Sequence, residues 1–233
     1  MLRRSQALHE FRSSIAIAET LMKKELHFSD PPIPRHLKEM QGLRGGATVL
    51  MVAAFENYLK EVIEERMDDL VHHRKFNPKK LPDELVFHNY NQMLIQSRDA
   101  SSLGNLSFAD KIAIFHQVAQ GIINGIINSQ FFSELAKSNP NSKKVRKLFK
   151  SLGIQDIFLI IKPQFDIRWG IATSNTFIPD TLDSILDRRH KVAHTAKVMN
   201  VSRLDLQDSA RFLRILADLC DEELYRHIRS ILR

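Results

Sequence analysis

The stretch 43-LRGGATVLMVAAFENYL-59 decides the fold. It lies inside a longer segment, about 36–73, whose apolar residues recur at steps of three and four, as they do on one face of a helix. The segment therefore predicts one long helix. Gly45 and Gly46 lie within it, although each glycine costs about 1 kcal/mol relative to alanine in a helix interior. We expect another helix to approach closely at these two residues, or the helix to kink there.

The flanking sequence also has mainly helical spacing. A helix from Ser5 to about Phe28 is predicted before the proline-rich stretch 30–34, which ends it. Ser107 and Asp110 resemble a capping box at the start of a helix. The segment 153–175 is ambiguous between strand and helix, and we favour a short helix and loop. Further helices are predicted at about 83–98, 111–128 and 143–152. Another helix, which carries the second stretch described below, is predicted to be capped by Asp180 or Thr181, and the last helix is predicted to start at Ser202 or Asp205.

This order of elements predicts an all-α bundle. The chain has 233 residues, which favours one domain, 1–233, with a variable insertion at about 76–178. Eight Gly and eight Pro leave little room for the many turns of a sandwich or barrel. The middle of the chain is the least regular part of this pattern.

Charge and cysteine content narrow the classes of partner. The formal net charge is +7, which favours an anionic partner, with RNA or another nucleic acid first and an anionic membrane second. A single cysteine, Cys220, excludes an intramolecular disulfide framework and fits a reducing compartment. No signal peptide is evident, and the apolar runs are too short to span a bilayer. We therefore predict a cytoplasmic protein without a membrane partner.

A second stretch, 186-LDRRHKVAHT-195, concentrates charge in an otherwise regular helical pattern. Arg189 and His194 have four residues between them, which places them about 140° apart around a helix. The long arginine side chain, or the end of the helix between them, must close this gap. One interpretation is a solvated basic face beside a helix C-terminus, where cations are favoured. His190 and His194 also have the spacing of a metal-binding pair, but no third ligand is evident, so no metal or other cofactor is expected.

Both stretches resemble parts of one family. Arg189 and His194 match the R-x4-H motif of the HEPN superfamily, and residues 43–59 resemble the signature helix of its RiboL-PSP and MAE-type nucleases. The resemblance implies a helical domain that forms a homodimer and brings two motifs together. It also implies RNA cleavage without metal that leaves a 2′,3′-cyclic phosphate. Family members commonly act as toxins or as effectors of phage defence, so an antitoxin or other regulatory partner is expected. Some members carry a modifiable tyrosine two residues after the motif histidine, where this chain has Ala196.

Within such a nuclease the motif residues have distinct roles. Histidine titrates near neutral pH and arginine binds phosphate through parallel donors, so we predict proton transfer by His194 and phosphate binding by Arg189. His190 would position the substrate or His194. Glu56 either orients Arg189 or His194 across the bundle, or forms a surface ion pair with Lys60.

Further cations are candidates for binding the RNA backbone. They lie beside the motif residues or on the predicted helix 143–152, and they are Arg188, Lys191, Lys143, Lys144, Arg146 and Lys147. A solvated helix face explains the second group equally well. The alternative function is a non-catalytic helical module for dimerisation and RNA binding. A regulator that binds DNA or an anionic membrane is a third hypothesis, supported by charge alone.

Overall fold

The structure is a computed structural model that describes residues 4–102, 106–136, 140–195 and 201–233. Within these ranges, it describes only the backbone of residues 100–102, 133–136 and 193–195. The described residues form helices joined by turns, with no strand among them. The α-helices are α1 (Gln6–Glu25), α2 (Leu37–Val71), α3 (Asp83–Ser102), α4 (Phe108–Ile123), α5 (Ser142–Ser151), α6 (Ile157–Trp169), α7 (Phe177–Thr195) and α8 (Arg203–Ile231). Short 3-10 helices lie at Pro34–His36, Pro78–Lys80 and Ser129–Ala136. The prediction of an all-α protein is confirmed.

Helix α2 is the central element of the bundle. Helices α1, α7 and α8 and the segment Ser129–Ala136 all pack against it. Its apolar residues at steps of three and four, among them Phe55, Leu59 and Val62, are fully buried. The Tyr58 hydroxyl lies within this core and donates a hydrogen bond to the Ala217 carbonyl of α8 at 2.8 Å. The long helix predicted from the sequence is therefore the element against which the other core helices pack.

Side-chain caps determine where several helices begin. Ser107 and Asp110 form a capping box at the start of α4, and Ser202 and Asp205 form another at the start of α8. In both, the serine hydroxyl accepts from a backbone N–H that would otherwise lack a partner. The Ser107 cap was predicted, and Ser202 is the correct one of the two predicted starts for the last helix. Helix α4 nevertheless spans 108–123 rather than 111–128.

The helix boundaries in the second half of the chain differ from the prediction. Helix α7 begins at Phe177, so neither Asp180 nor Thr181 is its cap. Phe177 packs against Phe165 and Phe212 with ring centroids 6.1 and 6.4 Å apart, and this contact favours an earlier start. Pro179 fits the first turn, where a missing N–H costs no helical hydrogen bond.

Helix α6 is longer than the short helix that we expected in 153–175. It runs for 13 residues with Pro163 inside it and ends at Gly170, whose φ is +97°. Packing of its buried face against α8 stabilises a helix that an internal proline disfavours. Helix α3 also continues beyond its predicted end at Arg98, as far as Ser102. In the described part of the chain, no helix combines the length and hydropathy that a membrane span requires.

Candidate functional site

The motif helix α7 packs against α2 at Gly45, and α1 packs against α2 at Gly46. A Cβ placed on Gly45 would lie 3.2 Å from Cγ1 of Val192, and one on Gly46 would lie 3.3 Å from Leu21 of α1. Side chains larger than hydrogen would separate these helices, which explains why glycine is present despite its cost. The close approach predicted from the sequence is confirmed, and it brings the end of α7 that carries the motif onto the first half of α2.

Glu56 and Arg189 face each other across this contact. Their carboxylate Oε2 and guanidinium NH2 atoms are 3.4 Å apart, and each side chain is 23% exposed. The Glu56 Oε1 and Arg189 Nε atoms are buried and have no hydrogen-bond partner among the described residues. Of the two interpretations of Glu56, contact with Arg189 is therefore the one observed among the described residues.

The two side chains lie at the edge of a cleft with a volume of about 340 Å³. The cleft is formed by α2, α7 and the N-terminal end of α5, and its other lining residues are Asn141, Lys144, Asp183, Leu186, Asp187 and His190. Both signs of charge are present, so cations of the cleft have acidic neighbours. A ligand anion would have to compete with those carboxylates for the cations.

Helix α5 is attached to the motif helix at its first residue. The Ser142 N–H and hydroxyl donate to the two carboxylate oxygens of Asp183 at 2.7 and 2.5 Å. The Asn141 side chain accepts from the Lys144 N–H and caps the helix. These bonds fix Lys144 beside the cleft, where its ammonium adds to the charge of Arg189.

The predicted cations of this region have different surroundings. Lys143 and Lys147 are exposed, whereas the Arg146 guanidinium pairs with Asp156 at 3.1 Å and lies over the Phe158 ring. On α7, Lys191 pairs with Asp187 at 2.6 Å, and Arg188 lies 3.8 Å from Asp205. Lys144 is thus the α5 cation that the fold places at the cleft, and Arg146 serves the packing of α5 on α6.

The structure describes the side chain of one motif histidine, His190, but not that of the other, His194. His190 is exposed and lines the cleft. His194 belongs to the last turn of α7, but its side chain lies outside the described residues, as does all of Ala196. The separation of Arg189 and His194 therefore stays a prediction. No three His, Cys, Asp or Glu side chains in the described part of the chain are grouped as metal ligands would be.

A charge network centred on buried Arg44 and Glu25 lies between α1, α2 and the start of α8, and no sequence pattern predicted it. The Arg44 guanidinium binds the Glu25 carboxylate, donates to Asp30 at 3.0 Å and donates to the Val201 carbonyl at 2.7 Å. Arg203 completes the network by donating to the second Glu25 oxygen at 2.8 Å. This network joins the backbone at Val201, just before α8, to Arg44 of α2.

Comparison with known proteins assigns the chain to a family. No curated protein and no solved structure matches the chain significantly. The model of the RiboL-PSP-HEPN family matches residues 13–226, a range that includes both stretches of resemblance and the cleft between them. The chain therefore belongs to the RiboL-PSP-HEPN family.

Proposed function

We propose that the protein is a metal-independent endoribonuclease in which Arg189 binds the scissile phosphate and His194 transfers a proton. The observation that carries the proposal is the state of Arg189 in the cleft. Its guanidinium is held by one long contact with Glu56, and its Nε–H has no partner among the described residues. A phosphate oxygen can accept from such donors, and charge-assisted bonds of this kind are short and strong.

The chemistry needs no cofactor because RNA supplies its own nucleophile. The ribose 2′-oxygen attacks the adjacent phosphorus while a base removes its proton. The bond from phosphorus to the 5′-oxygen then breaks, and that oxygen receives a proton. The products are a 2′,3′-cyclic phosphate and a 5′-hydroxyl. His194 would act as the base or the acid, and Arg189 would stabilise the negative charge that develops on the phosphate.

The remaining cleft residues would hold the RNA chain. Lys144 lies beside Arg189 and would contact a neighbouring phosphate, while His190 would position the substrate or His194. Exposed Lys143 and Lys147, with Arg188 and Lys191, would extend the basic path. We propose that two copies associate with their motifs in one cleft, as a symmetric dimer permits. A role as a toxin or defence effector, with an antitoxin or other regulatory partner, belongs to the same proposal.

One observation favours a second function. The Glu56 carboxylate already contacts the NH2 atom of the Arg189 guanidinium. This contact is expected if the motif arginine serves to join α7 to α2. In that case the protein is a non-catalytic module that dimerises and binds RNA. The two functions differ in whether the Arg189 and His194 side chains act on the RNA.

The test is cleavage of a mixed RNA pool in EDTA by the wild type, Arg189→Ala and His194→Ala, with folding checked by circular dichroism. Arg226→Ala is the matched control, since it removes an arginine of α8 that does not line the cleft. We expect the control to cut like the wild type and each motif variant to lose about 10²–10³-fold in rate. Equal cutting by all four proteins would indicate contamination and contradict the proposal. RNA binding without any cutting would support the non-catalytic module.

A further inference from the structure

Helix α4 has an apolar face that the rest of the molecule leaves uncovered. Phe108 is 80% exposed, Ile112 52%, Phe115 40% and Ile123 74%, and Ala119 between them is also exposed. The steps between these five residues are four, three, four and four, so they lie on one face of the helix. We call this face the α4 stripe. Helix α4 packs mainly against α3, and its buried residue, Gly121, lies on the opposite side, near Met93.

An exposed stripe of this size requires an explanation, because large contiguous apolar patches on soluble proteins usually mark an interaction site. The polar residues of α4 indicate what kind of partner covers it. Asp110 and Lys111 are the two charged residues among its sixteen, apart from His116. Helices that lie on anionic membranes carry many lysines and arginines on the polar face, whereas the centres of protein interfaces are depleted of charge. The stripe therefore fits a protein surface.

We propose that the α4 stripe binds the same stripe of a second copy of this chain, with the two helices antiparallel. The stripe is self-complementary about its midpoint. When Phe115 lies near the two-fold axis, Phe108 of one copy lies opposite Ile123 of the partner subunit, and Ile112 lies opposite the small Ala119 of the partner subunit. The contact is isologous, so this interface by itself joins two copies, in addition to the association proposed through the motif cleft. The charged residues Asp110 and Lys111 lie near one end of the stripe, away from the axis.

The area available agrees with this occupant. The exposed fractions of the four large side chains correspond to roughly 400–500 Å² of apolar surface per copy, taking about 150–200 Å² for each whole side chain. Two copies would bury at most roughly 800–1,000 Å², close to the lower limit of about 1,000 Å² for a specific interface. A contact of this size is expected to be weak, so the association has to be measured over a range of protein concentrations. The contact lies outside the motif cleft, because none of its residues lines that cleft.

The experiment compares the molar mass of the full chain with that of Phe115→Glu by sedimentation equilibrium across the micromolar range. The substitution places two carboxylates together at the axis, and Phe115 lies outside the core, so the fold is retained and circular dichroism checks it. Gln117→Glu is the matched control, since it adds the same charge to an exposed position on the other side of α4. We expect the wild type and the control to associate and Phe115→Glu to have half their mass. Equal masses for all three proteins would overturn the proposal. A wild type that is monomeric at every concentration would also overturn it, and would indicate that the stripe binds a different protein.

A second measurement keeps the proposal testable if Phe115→Glu fails to fold. Phe115→Cys and Gln117→Cys are treated with a short bismaleimide, which joins two nearby thiols. Native Cys220 is buried and does not react in the folded protein. A linked dimer from Phe115→Cys but not from Gln117→Cys is expected, and equal linking of both would contradict an antiparallel contact through the stripe. A halved mass of Phe115→Glu with RNA cleavage retained would show that this interface is separate from the proposed active site and from the association through the motif cleft.

Discussion

Helix α2 takes part in two arginine–glutamate pairs with opposite characters. At one position its Arg44 binds Glu25 of α1, and the side chains are 9% and 2% exposed. At the other its Glu56 contacts Arg189 of α7, and both side chains are 23% exposed. Arg44 is supported by three acceptors, whereas Arg189 Nε and Glu56 Oε1 have no partner among the described residues.

The difference indicates what each pair does. Removing one partner from a buried and fully bonded pair leaves a charge that water cannot reach, so such a pair cannot rearrange cheaply. In a partly exposed pair, an arginine that is not fully hydrogen-bonded can exchange its carboxylate partner for another anion. We infer that the Arg44 pair stabilises the fold and that the Arg189 pair is available for a ligand.

The largest expected effect is on stability. Arg44→Met leaves the Glu25 carboxylate buried with Arg203 as its remaining cation, and we expect a loss of about 3–5 kcal/mol in the free energy of unfolding. Arg189→Met breaks a partly solvated pair and costs at most about 1 kcal/mol. Urea unfolding followed by circular dichroism measures both. Equal losses would contradict the distinction between the two pairs.

Replacing Glu56 tests the same comparison by measuring the affinity for RNA. Glu56→Gln removes the charge that competes with phosphate for Arg189, so RNA should bind about two- to fivefold more tightly, the equivalent of up to about 1 kcal/mol. The rate of cleavage should fall, because the guanidinium loses the group that orients it. Fluorescence anisotropy with a 2′-O-methyl RNA measures affinity without cleavage. Weaker binding by Glu56→Gln would show that Glu56 does not compete with the RNA.

A smaller effect distinguishes two cations of α5. Lys144 lines the cleft and Arg146 is paired with Asp156, so only Lys144 is expected to contact a phosphate. Lys144→Ala should lower the slope of log Kd against log salt concentration by about one. Arg146→Ala should leave that slope unchanged. A lower slope for Arg146→Ala would show that the ion pair opens when RNA binds.

The smallest expected effect is the pH dependence of the buried network. The hydrogen bond from Arg44 lowers the pKa of Asp30 below its ordinary value of 3.8. A carboxyl with a lowered pKa contributes stability above its unfolded pKa and loses that contribution as pH falls through the folded pKa. Asp30→Asn should therefore destabilise the protein at pH 7, and this destabilisation should shrink as the pH falls below 3.8 and through the lowered pKa of Asp30. A difference between the two proteins that stays constant over this range would contradict the assignment.

The site could be predicted from the sequence only in part. Glu56 and Arg189 were found because each belongs to a stretch with a recognisable pattern. The pairing of Arg44 with Glu25 was missed, since no spacing rule connects side chains on different helices. The buried pair of Arg66 and Asp221, 2.8 Å apart and each 1% exposed, was missed for the same reason. An arginine within an apolar helical stretch, as at position 44, is the signal that suggests a buried partner.

The all-α architecture, the long central helix, the close approach at Gly45 and Gly46 and the cap at Ser107 follow from the sequence alone. Each depends on residues close together in the chain, through helical periodicity or a local hydrogen bond. The start of α7 at Phe177, the continuous α6 around Pro163, the cleft of Arg189 and the uncovered α4 stripe depend on the tertiary structure. They arise from contacts between residues far apart in sequence, and packing energy there outweighs local propensity.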